Sequence, residues 1–158
     1  MLGFFNFVTI MITIKNNIKK IKASNKQIKE YTQKILDLLN YTNFDIGIWL
    51  TTNQTIKKYN KKYRKKNKPT DILSFPFHTT LQAGEKIKPK FDYEKNLGDI
   101  IISLEYAKKD ALKLNISLQK HLKILLVHGI CHLLGYTHDE DEDYAVMQRK
   151  EQELLAQL

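Results

Sequence analysis

Hydrophobic positions along this chain change period several times, and each change marks an element. From Phe7 to Ile14 the residues are mostly apolar, which reads as a buried strand. Ser24-Asn-Lys-Gln27 has the form of a capping box, so a helix is expected from about Asn25 to Leu39. Ile28, Ile35, Leu38 and Leu39 give that helix an apolar stripe. Phe44, Ile46, Ile48 and Leu50 then alternate with Asp45, Gly47 and Trp49, the period-two pattern of a half-buried strand. A short polar helix from Asn53 to about Lys61 follows. Ile72 to Phe77 is a second apolar run. Pro76 removes a backbone donor from it, so the run is an edge strand or stops there.

Thr79 to Asn96 mixes Gly84, Pro89 and lysines without period and reads as a mobile loop. Gly98 to Ser103 is a β-branched strand. Ser103 can cap a helix through Leu114, and Ser117 can cap another through Leu134. The latter, Leu118 to Leu134, is apolar on most sides and is expected to be central and buried. A final helix from about Glu142 to Leu158 carries Tyr144, Met147, Leu154, Leu155 and Leu158 on one stripe. Strands and helices mix without strict alternation, which places the chain in the α+β class. No repeat or Gly/Ser-rich linker divides its 158 residues, so residues 1–158 are expected to form one domain.

Composition narrows the partners. Apolar residues make up 42% of the chain, which suits a globular protein. The net charge of +9 and a pI near 9.5 favour a polyanion, with RNA, DNA and anionic membrane as candidates. A lysine-rich proteome is the competing explanation of that charge. The single Cys131 leaves no internal disulfide and fits a reducing cytoplasm. Met1 to Ile14 lacks a basic flank and a small-residue cleavage site, and falls below the roughly 20 residues of a spanning helix. Met11 is a candidate alternative start, in which case the first ten residues are an artefact.

The chemistry gathers in His128-Gly-Ile-Cys-His132-Leu-Leu-Gly135-Tyr-Thr-His138. His128 and His132 share one helical face a turn apart. Gly135 can end the helix in a left-handed conformation, and the returning chain can bring in His138. Three neutral nitrogens leave a tetrahedral ion one open position, the arrangement of a catalytic zinc site. The spacing H-x-x-x-H-x-x-G-x-x-H is that of the metzincin metalloproteases, whose general base is a Glu directly after the first His. Here Gly129 stands in that place and has no carboxylate. A Gly inside a helix costs about 1 kcal/mol against Ala, which suggests that room is needed beside the metal for a bulky substrate or another backbone. Cys131 reads as a small buried filler. His121 lies about two turns before the cluster, too far along the axis to ligate, and His78 receives no role.

The same residues carry a family resemblance. H-G-I-C-H-L-L-G-Y-T-H resembles the signature H-G-x-L-H-L-x-G-Y-D-H of the YbeY family of bacterial zinc-dependent endoribonucleases, the rRNA maturation factors. It departs at Cys131 and at Thr137, where Asp139 is close enough in sequence to stand in for the missing Asp. Asn60 to Pro76, with Tyr63-Arg64 and Pro69-Thr70-Asp71-Ile-Leu-Ser74-Phe75-Pro76, is similar to the second motif of that family. Leu97-Gly98-Asp99-Ile100 and Met147-x-x-x-Glu151 complete four motifs in order. The resemblance implies one α+β domain with a four-stranded mixed sheet, surrounding helices and a buried helix carrying two metal ligands. It also implies one zinc ion on His128, His132 and His138, and work on ribosomal RNA in maturation and quality control of the small ribosomal subunit.

Zinc lowers the pKa of bound water toward about 7, and the resulting hydroxide can attack a phosphodiester. Arg64 is the candidate to stabilise the developing charge, since guanidinium binds phosphate bidentately and stays charged. The lysines from Lys57 to Lys68, with Tyr59 and Tyr63 between them, can track an RNA backbone and stack bases. The acidic run Asp139 to Asp143 suits a helix start. Glu151 and Asp99 read as structural or supporting carboxylates. The expected activity is a single-strand-specific, metal-dependent endoribonuclease working in the cytoplasm on 16S 3′-end maturation, with no membrane or DNA partner. The competing readings are a metzincin-like peptidase and a ribosome-assembly factor whose zinc only holds the fold.

Overall fold

Residues 11–158 are described by the computed structural model, and within them the chain forms four strands and five α-helices. In order these are β1 (Ile12–Asn16), α1 (Asn25–Leu38), β2 (Asp45–Thr51), α2 (Asn53–Arg64), β3 (Ile72–Pro76), β4 (Asn96–Ser103), α3 (Leu104–Lys113), α4 (Leu118–Leu133) and α5 (Asp141–Leu155). Four of the helices start on a hydroxyl that accepts from the third residue on. Ser24 takes Gln27 N–H, Thr52 takes Thr55 N–H, Ser103 takes Tyr106 N–H and Ser117 takes Lys120 N–H. Each bond satisfies a donor that the helix cannot pair itself.

The strands form one mixed sheet in the order β1-β2-β4-β3. β1, β2 and β4 are parallel, and β3 runs antiparallel to β4 at the edge, ending at Pro76. Because side chains alternate across a strand, each strand splits its residues between two faces. On the inner face Ile46, Ile48 and Leu50, Ile100 and Ile102, and Ile72 join the main core with residues of α1, α3, α4 and α5. Each such isoleucine or leucine contributes about 1.5–3 kcal/mol by leaving water. α4 is the central helix, touching α1, α3, α5, β3 and β4. On the outer face, among the described residues, only α2 covers the sheet. There Ile56 meets Leu73 and Ile101, ringed by the partly buried Trp49, Tyr59 and Phe75.

The fold class and sheet expected from the sequence are those observed, with differences at several elements. The strand expected from Phe7 lies partly outside the described residues; within them it runs on to Asn16. The buried stripe of α1 uses Thr32 and Leu36, while Leu38 is only partly buried. Thr32 can be buried because its hydroxyl donates to Ile28 O at 2.7 Å. α2 extends to Arg64, beyond the Lys61 expected. Lys65 ends it at φ 59, and buried Asn60 donates from Nδ2 to Lys68 O at 2.8 Å, fixing the exit. In α5, Met147 and Leu154 are buried, but Tyr144 is 54% exposed, because the acidic first turn projects beyond the core. The stretch from Thr79 is irregular as expected, yet it is tied down. Lys86 Nζ donates to Leu39 O, Ile87 N to the Tyr41 hydroxyl, and His78 Nε2 pairs with Glu94 O at 2.8 Å. Among the described residues no helix is long and apolar enough to cross a membrane.

Candidate metal centre

The last two turns of α4 present His128 and His132 on one face, and the helix then stops by two reverse bonds. Gly135 N–H donates to His132 O and Tyr136 N–H to Cys131 O, each at 3.1 Å. This is the Schellman pattern, which places the residue after the cap in the left-handed region. Gly135 occupies it at φ 84, and Leu81 O would lie 2.1 Å from any Cβ there. The reversal returns His138 to the other two histidines. One nitrogen from each ring can be chosen so that all three lie within 4.8 Å of one another, a set that could hold a metal ion.

The hydrogen bonds around the rings decide which nitrogens face inward. His128 Nδ1 lies 2.6 Å from Glu151 Oε1, and His132 Nδ1 lies 2.9 Å from Tyr136 O. A carboxylate and a carbonyl only accept, so both Nδ1 atoms carry the proton. The two Nε2 atoms are thereby turned inward and face each other at 3.1 Å. Burial, then the rings of His128 and His138, push the His132 pKa down to about 4, with Arg64 adding to the effect and the Tyr136 carbonyl opposing it. The His132 ring is therefore neutral at pH 7 with a lone pair on Nε2, and a cation between it and His128 Nε2 could be held by both rings. Two nitrogens on one tetrahedral zinc stand roughly 3.3 Å apart, given Zn–N near 2.0–2.1 Å.

Arg64, the last residue of α2, lines the same pocket of ≈ 180 Å³ as the three histidines. Thr70, Asp71, Ile72 and Ser74 complete its wall. The sequence reading gave Asp71 and Ser74 no role of their own. Asp71 Oδ1 accepts from Thr70 Oγ1 and from Ile72 N, so one oxygen is held in place. Ser74 Oγ is buried and has no partner among the described residues. The wall thus offers a guanidinium, a hydroxyl and a carboxylate opposite the inward nitrogens.

Other expectations are corrected. Gly129 makes no room for substrate: a Cβ there would meet Ile72 Cδ1 and Ile100 Cδ1 at 2.8 Å, so the glycine lets α4 lie close on the inner face of the sheet. Glu151 is the hydrogen-bond partner of His128, the supporting role that the sequence left as its second choice. Asp99 is neither buried nor near the histidines. It is exposed on the outer face, against Gly47 of the neighbouring strand. Thr137 Oγ1 donates to Asp143 Oδ2 at 3.3 Å, and Asp139 is exposed. Cys131 is a core filler as expected; burial pushes its thiol up to about 12, with Glu151 adding to the shift. His121 stands outside the cluster, buried, with neither nitrogen partnered among the described residues.

Comparison with known proteins points the same way. Residues 13–158 match the family described as Endoribonuclease YbeY. A protein of that name from Sulfurihydrogenibium sp. is 43% identical over 134 residues, covering 85% of this chain and 82% of its own. The human protein of that name is 36% identical over 147 residues, covering 93% of this chain and 87% of its own. A solution structure of a protein from Thermotoga maritima shares the fold, with TM-score 0.55 and 21% identity over 93% of this chain and 91% of that one. With the histidine signature in place on its buried helix and the match running through the whole described fold, this chain belongs to the endoribonuclease YbeY family.

Proposed function

We propose that this chain is a single-strand-specific, metal-dependent endoribonuclease that matures ribosomal RNA, including the 16S 3′ end, and serves ribosome quality control in the cytoplasm. The observation that carries the reading is the facing pair of Nε2 atoms of His128 and His132, 3.1 Å apart, with Arg64 lining the same pocket. His138 supplies the third nitrogen, and the all-nitrogen donor set suits one Zn²⁺. A bound zinc would supply Lewis acidity toward a phosphoryl oxygen and an acidified water.

The protein's own groups do the rest. Glu151 and the Tyr136 carbonyl accept from Nδ1 of His128 and His132 and so turn Nε2 of each ring toward the metal position. Arg64 neutralises charge on the phosphodiester as the leaving oxygen departs, with a fork geometry that phosphate accepts bidentately. The exposed lysines of α2 align the rest of the strand by its phosphates. The peptidase reading is disfavoured because position 129 has no carboxylate and packs on the sheet. A purely structural metal is disfavoured because a tetrahedral ion on three histidines would keep one position free, and an arginine lines the same pocket.

The test is incubation of the zinc-loaded protein with single-stranded RNA, duplex RNA and casein. Wild type is expected to cut single-stranded RNA only. Arg64→Ala should retain metal and lose ~10²–10³-fold in cleavage rate, the usual cost of removing one transition-state donor. His132→Ala should lose both metal and cleavage. RNA left intact by folded, metal-loaded wild type would overturn the nuclease reading, and casein cleavage would replace it with the peptidase.

A further inference from the structure

On the outer face of the sheet, α2 leaves a second pocket of ≈ 370 Å³ that the metal centre does not use. Strand register builds its floor. Thr13, Gly47, Asp99 and Phe75 line up across β1, β2, β4 and β3, and Lys15, Trp49 and Ile101 form the next row. Tyr59 and Tyr63 wall it from α2, their rings stacked at 20° with centroids 6.1 Å apart. Tyr63 is 54% exposed, so it offers a free aromatic surface.

Three features of this pocket call for a specific occupant. Asp99 is exposed among aromatic rings, and its carboxylate forms no ion pair among the described residues. Gly47 gives that carboxylate its place, since a Cβ at 47 would lie 2.1 Å from Asp99 Oδ1. The ring of Trp49 lines the pocket, while its indole N–H is buried without an acceptor among the described residues. An occupant must therefore be flat and donate to a carboxylate. Lys15 Nζ lies 4.4 Å over Trp49 and Lys62 Nζ lies 5.0 Å over Tyr63, so anionic groups are welcome at the rim.

We propose that this pocket binds a guanine base of the RNA strand, stacked on the tyrosines, with its N1–H and N2–H donating to the two oxygens of Asp99. Guanine is the one standard base with two adjacent N–H donors spaced for a carboxylate, and stacking plus lysine–phosphate contact is the usual way to hold single strands. The proposal deepens the endoribonuclease reading and rests on it for the identity of the strand. Geometry links the two pockets. Tyr63 and Phe75 line the outer one while their chain neighbours Arg64 and Ser74 line the inner one. The edge strand β3 and the end of α2 lie between them, so a strand folded over that edge places a guanine on one side and a phosphodiester on the other.

Trp49 is the only tryptophan of the chain and reports directly on the pocket. Its fluorescence should be titrated with GMP, IMP, AMP, CMP and UMP on zinc-loaded protein, with RNA cleavage measured in parallel. GMP is expected to act at concentrations about tenfold below the others, IMP losing one of the two donors. Asp99→Asn should erase that preference while the other nucleotides keep their response. Gly47→Ala should do the same by displacing the carboxylate, which keeps the test informative if either variant folds poorly. Equal responses to all five nucleotides, no response to any, or a stronger response to N-acetyl-arginine amide would each overturn the proposal; the last would assign the pocket to a cationic side chain of a protein. Cleavage without guanine preference defeats only this inference. Guanine preference without cleavage defeats only the endoribonuclease reading.

Discussion

The inner and outer faces of this sheet are made by the same four strands and differ in almost everything else. Inward, Ile46, Ile48, Leu50, Ile72, Ile100 and Ile102 are sealed by four helices. Outward, the same strands carry Thr13, Lys15, Trp49, Asp99 and Phe75, and one helix covers only part of them. The inner face holds the histidines rigidly, because α4 is packed on it through Gly129. The outer face leaves Asp99 exposed, with no ion pair among the described residues. The difference teaches that the period-two alternation of a strand can separate a catalytic pocket from a recognition pocket at adjacent residues. Ser74 and Phe75 fall on opposite sides in this way, as do Arg64 and Tyr63 at the end of α2.

The largest effect that separates the faces comes from neighbouring isoleucines of β4. Ile100 is fully buried in the main core, whereas Ile101 belongs to the small cluster under α2. Truncating a buried isoleucine costs about 2–5 kcal/mol, more where the surroundings cannot collapse. Ile100→Ala should fall near the top of that range and Ile101→Ala near the bottom, in urea denaturation of the metal-loaded protein. Equal costs would mean that the outer cluster is as well packed as the inner core.

Next in size is the support for the histidines. Glu151→Gln keeps an acceptor for His128 Nδ1 but removes the charge, and Gln can turn its amide N–H toward the ring. Loss of such a partner typically costs ~10–100-fold in metal affinity. Competition with a chromophoric chelator should show a drop of that order, with the melting temperature of the metal-free protein little changed. An unaltered metal affinity would reduce Glu151 to a helix-to-helix tie between α4 and α5.

What the sequence made legible follows from how local each signal is. The caps at Ser24, Ser103 and Ser117, the alternation of β2 and the turn at Gly135 are each written within a few residues, and all appear where expected. The histidines were legible because both the i, i+4 pair and the reversal to His138 are local. Glu151 was half legible, since a carboxylate on a stripe with Met147 and Leu154 announces a partner but not which one. The need for room at Gly129 was legible but its neighbours were not, because Ile72 and Ile100 approach it from two strands far away in sequence. Asp99 was misread for a related reason. It sits in an apolar stretch that looks buried, and only the register that pairs it with Gly47 and Phe75 shows that its face is open.

Gly129 offers a smaller and sharper probe of the inner face. An added methyl would stand 2.8 Å from two Cδ1 atoms, which are the far ends of flexible side chains and can give way. Overpacking costs about 1–3 kcal/mol, and the gain in helix propensity returns about 1 kcal/mol. Gly129→Ala should therefore be destabilising by a net ~1 kcal/mol in denaturant unfolding. A stabilised variant would show that α4 is free to lift from the sheet and that the histidine geometry does not depend on close packing.

The smallest expected effect on stability is the one that most directly defines the outer face. Tyr63 is half exposed at the end of α2, and its ring touches Tyr59 and Phe75 without entering the core. If those aromatic contacts exist to receive a ligand, the free protein does not need them. Tyr63→Ala should then change unfolding free energy by no more than about 0.5 kcal/mol, the range of ordinary surface substitutions, while weakening the nucleotide response of Trp49. A loss of about 2 kcal/mol or more would place Tyr63 in the structural cluster with Ile56. The stacked tyrosines would then hold α2 to the sheet, and the two faces would differ only in how much of each is covered.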